Sequence, residues 1–196
     1  MPMWRGFAGL VLALAVIPSR LAAPGKPLSA YSRETWTTRN GLPHNQVNAV
    51  AQTSDGYLWF ATWEGLVRYN GQDFRVLNPD NTPALKDHGV RQVSVGPSGR
   101  MVVATSRGGI SVREDGAWRH FGKAEGLAQN ETMGAIDGGD GSIWVAHESE
   151  GLSHIAADGK ITIWNTGNGL PADRLYAVYR DRHDAIWAAT AQGMAR

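Results

Sequence analysis

The stretch Asp55-Gly56-Tyr57-Leu58-Trp59-Phe60-Ala61-Thr62, followed by Gly65-Leu66-Val67-Arg68-Tyr69, decides the fold because it recurs. Tyr57–Thr62 aligns without gaps with Arg100–Thr105, Ser142–His147 and Ala185–Thr190. The third residues are Trp59, Val102, Trp144 and Trp187, spaced 43, 42 and 43 apart. Turn residues precede each copy: Asp55-Gly56, Ser98-Gly99, Asp140-Gly141 and His183-Asp184. Gly65-Leu66, Gly109-Ile110, Gly151-Leu152 and Gly193-Met194 follow. A second anchor, Gly41-Leu42, Gly126-Leu127 and Gly169-Leu170, stands five residues after Trp36, Phe121 and Trp164.

Each unit reads as four short strands, A to D. In the first, Val47–Gln52 is A, Leu58–Thr62 is B, Leu66–Tyr69 is C and Phe74–Leu77 is D. Asp55-Gly56 and Asn70-Gly71 are the hairpin turns. The second unit repeats the order with Val90–Val95, Met101–Thr105, Ile110–Arg113 and Trp118–Phe121. No stretch keeps a 3.6-residue period with caps, so helix is not expected outside the amino terminus. Four antiparallel strands repeating at this spacing are the mark of a β-propeller blade. One such sheet cannot bury both faces, so neighbours must stack, with the strand B tryptophans as wedges. A β-sandwich is the runner-up, but it requires no strict repeat.

The blades are expected at about 44–80, 87–124, 129–167 and 172–196, the last incomplete. Glu34-Thr35-Trp36-Thr37-Thr38 before Gly41-Leu42-Pro43 matches Ile161–Asn165 before Gly169-Leu170-Pro171. It reads as an orphan strand D, at 33–38, of the kind that closes the last blade of a ring. The all-β reading is therefore an incomplete propeller: one orphan strand, three full blades and part of a fourth. Such a chain is expected to be the amino-terminal portion of a longer protein.

The protein has 196 residues, 42% hydrophobic and 19% charged, which suits a globular chain. The first thirty residues hold Arg5, Arg20 and Lys26 and no acid, which leaves sixteen basic against eighteen acidic residues in the remainder. A near-neutral body argues against a nucleic-acid partner. Cysteine is absent, which excludes disulfides, thiolate metal sites and a Cys nucleophile. Residues 1–30 read as a signal peptide and short linker. Arg5 precedes an apolar run, Phe7–Ile17, that Pro18 breaks. A spanning helix needs roughly 20 apolar residues, so this run is an export signal rather than an anchor.

The A–B and C–D turns share one end of the blades and are tight Asp, Gly and Asn turns. The D–A and B–C loops share the other end and are varied. Ligand-binding candidates there are His44, Asn45, Trp63, Glu64, Arg107, His147, Glu148, Arg174 and Gln192. Trp63 occupies a column otherwise held by Ser106, Glu148 and Ala191, and is expected to be exposed. No catalytic or metal residue and no cofactor is assigned. Gly138-Gly139-Asp140-Gly141 is an A–B turn in register with Ser54-Asp55-Gly56. His147, Glu148 and His154 fall across one hairpin without a third histidine nearby. There is no Walker loop and no dinucleotide fingerprint.

The pattern Gly41-Leu42-Pro43, Asn45, Val47, Val50, Asp55–Thr62 and Gly65–Tyr69 resembles the two-component regulator propeller repeat. The opening from Glu34 to Pro43 is similar to extracytoplasmic sensor regions of diguanylate cyclases and hybrid histidine kinases. The resemblance implies a non-catalytic, periplasmic propeller that perceives a small molecule, glycan or protein. It also implies further blades and a cytoplasmic output domain in the full-length, membrane-anchored protein. The second unit departs most, with Val102 for Trp and no Gly-Leu-Pro. The rival from another class is a propeller enzyme such as a polysaccharide or antibiotic lyase; a third reading is a protein-interaction platform.

Overall fold

Alternating apolar residues between Asp-Gly turns can satisfy their backbone groups only by pairing with their sequence neighbours, and they do so throughout. The computed structural model describes residues 28–196; the expected export signal and its cleavage site lie outside the described residues. Contacts divide the chain into Met1–Thr35 and Trp36–Arg196. The described part of the first unit contains one 3-10 turn, Leu28–Ala30.

The second unit holds four antiparallel meanders. They are β1 (Val47–Gln52), β2 (Leu58–Thr62), β3 (Gly65–Tyr69) and β4 (Phe74–Leu77); β5 (Val90–Val95), β6 (Met101–Thr105), β7 (Ile110–Glu114) and β8 (Ala117–Phe121). The third is β9 (Thr132–Asp137), β10 (Ile143–His147), β11 (Leu152–Ile155) and β12 (Ile161–Trp164). The fourth has three strands, β13 (Leu175–Arg180), β14 (Ile186–Thr190) and β15 (Gly193–Ala195). The first strands β1, β5, β9 and β13 lie side by side in that order, as the inner strands of stacked propeller blades do.

Strand B is apolar at successive positions because both its faces are covered. Trp59 and Ala61 pack with Leu66 against Val93, Met101 and Val103 of the next blade. Phe60 faces the other way, with Val67, Tyr69 and Leu42. The second and third blades join through Val102, Ala104 and Ile110 against Ala135, Ile143 and Val145. The third and fourth join through Ala146 and Leu152 against Leu175, Val178 and Ala188. Each fully buried side chain of this size contributes about 1.5–3 kcal/mol, so the blade interfaces are the main store of stability. The wedge role holds fully for Trp59, which is 2% exposed. Trp144 is half-buried and stacks on His154 with ring centroids 4.2 Å apart.

The recurrent glycine that opens strand C has a steric cause. A Cβ on Gly65, Gly109 or Gly151 would lie 2.7, 2.3 or 2.0 Å from the carbonyl oxygen of Leu77, Phe121 or Trp164 on strand D. At Asp115-Gly116, φ of 49° and 82° gives the doubly left-handed turn that a two-residue hairpin favours.

The orphan strand expected at 33–38 is a correction. Among the described residues this segment joins no ladder, and Thr38–Asn40 is a 3-10 turn capped by the Thr37 side chain. A strand needs a hydrogen-bonded neighbour, and no ladder here includes it. Trp36 nevertheless packs on the first blade, 5.3 Å from the Tyr69 ring and 6.2 Å from Phe74.

Candidate functional site at the inner end of the loop face

The D–A and B–C loops come together because the backbone fastens them. Ser106 N donates to Gly89 O at 2.7 Å, Glu148 N to Glu131 O at 3.1 Å and Ala191 N to Arg174 O at 2.9 Å. The varied loops are thus fastened together in the second, third and fourth blades.

Where these loops enter strand A, all four blades break register in the same way. The pairing skips Asn48, Arg91, Met133 and Tyr176, one in each inner strand. Each is the extra residue of a β-bulge, a device that re-aims a side chain and recurs beside binding sites. Asn48 Nδ2 donates to Val90 O at 2.8 Å and Gln46 Nε2 donates to Asn48 Oδ1 at 3.2 Å. The Arg91 guanidinium touches the Met133 sulfur and pairs with Glu148, Nη2 to Oε2 at 3.2 Å. Tyr176 is 50% exposed, with the Arg174 guanidinium 5.7 Å from its ring. The bulged residues were not among the sequence candidates. The signal for them lies in one column of the repeat, whose entries Asn48, Arg91, Met133 and Tyr176 share no chemistry, although the column before it, Val47, Val90, Thr132 and Leu175, is apolar in three of its four entries.

The structure places the nine candidates unevenly. Glu148 joins Arg91 and Arg174 joins Tyr176, so both belong to the bulge cluster. Asn45 is exposed, and its Oδ1 accepts from Thr38 N at 2.8 Å. His44 Nδ1 accepts from Gln46 N at 3.0 Å. Arg107 is exposed, and its backbone N donates to Asp87 Oδ2 at 2.7 Å. Glu64 and Gln192 are exposed turn residues, with backbone N–H groups directed at the hydroxyls of Thr62 and Thr190.

Two expectations change. Trp63 is half-buried, not exposed: its ring lies over Gly89, where an added Cβ would meet Cε3 at 3.0 Å. A large ring beside a residue without a side chain collapses onto it. His147 is fully buried and cannot meet a ligand on the loop face. It takes the place where Thr62, Thr105 and Thr190 donate to Gly65 O, Gly109 O and Gly193 O at 2.7, 2.8 and 2.9 Å. Its Nε2 lies 2.7 Å from Ser153 Oγ, and burial pushes its pKa down to about 4.

Comparison with known sequences bears on the same segment that opens the repeat. Residues 41–64 match the two component regulator propeller family. This propeller repeat covers the loop with His44 and Asn45, the bulge at Asn48 and strands β1 and β2. No curated protein sequence matches the chain. Among solved structures, the extracellular domain of a hybrid two component system of B. thetaiotaomicron is similar at 21% identity and a TM-score of 0.57, over 83% of this chain and 30% of that one. The extracellular domain of a one component system from the same organism is similar at 19% identity and a TM-score of 0.65, over 82% and 22%. Virginiamycin B lyase from Staphylococcus aureus is similar at 18% identity and a TM-score of 0.58, over 79% and 56%. At these identities the likeness is one of fold. The chain spans about a quarter of the length of the first two.

Proposed function

We propose that the chain is the ligand-sensing propeller of an exported bacterial signal-transduction protein, non-catalytic by itself. The carrying observation is the bulge cluster: a regular scaffold holds four unlike side chains, Asn48, Arg91, Met133 and Tyr176, at one end. A structural column would repeat one chemistry, as the threonines ending strand B do; a binding column varies from blade to blade. The ligand is a periplasmic small molecule, glycan or peptide that takes Asn and Arg donors and stacks on Tyr176. In a longer protein the response passes to cyclic-di-GMP synthesis or phosphorelay. The lyase reading has less support, because His147 is withdrawn into the core and His44 Nδ1 is occupied by a backbone N–H.

A thermal-shift screen against neutral and acidic disaccharides, amino acids and dicarboxylates tests this. A compound that raises the melting temperature of the wild type should lose that effect in Arg91→Ala. It should keep the effect in Lys160→Ala, on the turn end. Equal shifts in both variants would move the site away from the bulges.

A further inference from the structure

Strands β3 and β4 set two arginines directly opposite each other, Arg68 and Arg75. Like charges in such a place repel and weaken the ladder. Arg113 of β7 joins them from the next blade, and all three line one cavity of about 430 Å³ between the first and second blades. No acidic residue lines that cavity. Among the described residues, no carboxylate forms an ion pair with any of the three. Asp55 is an acid whose charge Arg68 feels, but its Oδ1 already accepts from Thr53 Oγ1 and Tyr57 N. Aromatic rings hold two of the guanidiniums. That of Arg68 lies over the Tyr57 ring at 3.4 Å, and those of Arg68 and Arg113 each stand 5.8 Å from the Trp59 ring. Arg68 Nε is buried and has no hydrogen-bond partner.

We propose that this cavity binds a small organic dianion: a flat ring that carries two carboxylates. One such anion relieves both the repulsion between Arg68 and Arg75 and the unpaired buried donor of Arg68. Guanidinium N–H edges match carboxylates in a bidentate geometry. The other polar groups of the lining are already engaged: Asn81 Nδ2 donates to Val76 O and Thr82 Oγ1 to Asn81 Oδ1, each at 3.0 Å. The guanidiniums are therefore the donors left for a ligand. The remaining walls include Leu77, Pro83 and the half-buried Trp118, which suit the ring. Two carboxylates balance the three cations once Asp55 is counted. The volume lies within the roughly 300–1,000 Å³ of small-molecule sites. The bulge cluster lies on the inner strands and shares no residue with this cavity, so the proposal does not rest on the sensing reading.

The probe is isophthalate, a benzene ring with two carboxylates, titrated into the wild-type chain by calorimetry in low-salt buffer. Inorganic sulfate and the uncharged isophthalamide are titrated alongside. Isophthalate should bind, the diamide should not, and sulfate should bind at least about tenfold more weakly. Arg75→Gln and Arg113→Gln should each weaken isophthalate at least about tenfold, as loss of one charge-assisted hydrogen bond does. Arg182→Gln makes the same charge change on an exposed turn and should leave binding unchanged. Binding kept in Arg91→Gln tells this site from the bulge cluster. Without ligand, Arg75→Gln should raise the melting temperature at low ionic strength, and added salt should erase the gain. Absence of isophthalate binding overturns the proposal. So does binding lost in Arg91→Gln but kept in Arg75→Gln, equal affinity for sulfate, or a melting temperature that Arg75→Gln lowers.

Discussion

Three strand B threonines donate a hydroxyl across their own B–C turn, and His147 stands in the fourth such place. Burial keeps it neutral in the folded chain down to about pH 4, whereas the unfolded chain binds a proton below about 6.5. The stability that depends on neutral His147 is therefore fully present above pH 6.5 and is lost as pH falls toward 4. A shift of this size corresponds to about 3 kcal/mol at most. His147→Thr should restore the local pattern, fold, and flatten the fall in melting temperature between pH 6.5 and 4. Melts across that range check it; an unchanged slope would assign the pH response to other groups. At Trp63 the half-buried ring raises the expected cost of Trp63→Ala above the roughly 0.5 kcal/mol of a surface change.

Between elements, apolar stacking is supplemented by one buried ion pair. Arg100, at the start of the second blade's B strand, sends Nε to Asp137 Oδ2 at 2.7 Å. Its Nη1 and Nη2 donate to Gly141 O and Ser142 O at 3.0 and 2.9 Å in the third blade. Asp137 is 2% exposed, so Arg100→Ala leaves a carboxylate buried without its partner. Loss of one member of such a pair costs about 3–5 kcal/mol. Urea denaturation should show a loss in that range. Arg180→Ala, which removes the partner of a 72% exposed Asp184, should cost under about 1 kcal/mol. Trp59→Ala belongs to the same scale: its ring is wedged against Met101 and Val103, and about 3–5 kcal/mol should be lost. The strands were legible in the sequence because alternation and Asp-Gly turns act locally. Val47–Gln52, Leu58–Thr62 and Phe74–Leu77 have the expected bounds. The bulges were not, since one skipped residue leaves the spacing of the repeat unchanged. His147 reads as a loop residue because a polar ring at the end of strand B suits a loop, whereas its column, Thr62, Thr105 and Thr190, belongs to the strand and is internal. The Arg100–Asp137 pair joins residues 37 apart in sequence and has no local signature.

For the whole molecule, the apolar run Phe7–Ile17 ended by Pro18 predicts export with cleavage near Ala23 or Ala30. Cell fractionation with amino-terminal sequencing should find processed protein in the periplasm; full-length protein in the cytoplasm would contradict it. The inner strands are also tied sideways from blade to blade. Asn48 reaches Val90 O, Gln92 accepts from Ala135 N and Ser94 donates to Ala135 O, at 2.8 Å in each case. Apart from the Arg100 contacts, the blades meet outward from these ties mainly through apolar side chains, which slide more easily than hydrogen bonds stretch. Mechanically, the assembly is a fan with a stiff hub. We expect a ligand that spreads or draws in the hub by a fraction of an ångström to move the rim further, since every blade acts as a lever pivoting on its first strand. Hydrogen exchange should reveal this as a radial gradient, slow in β5 and β9 and fast in β12; a gradient running the other way would place the pivot at the rim.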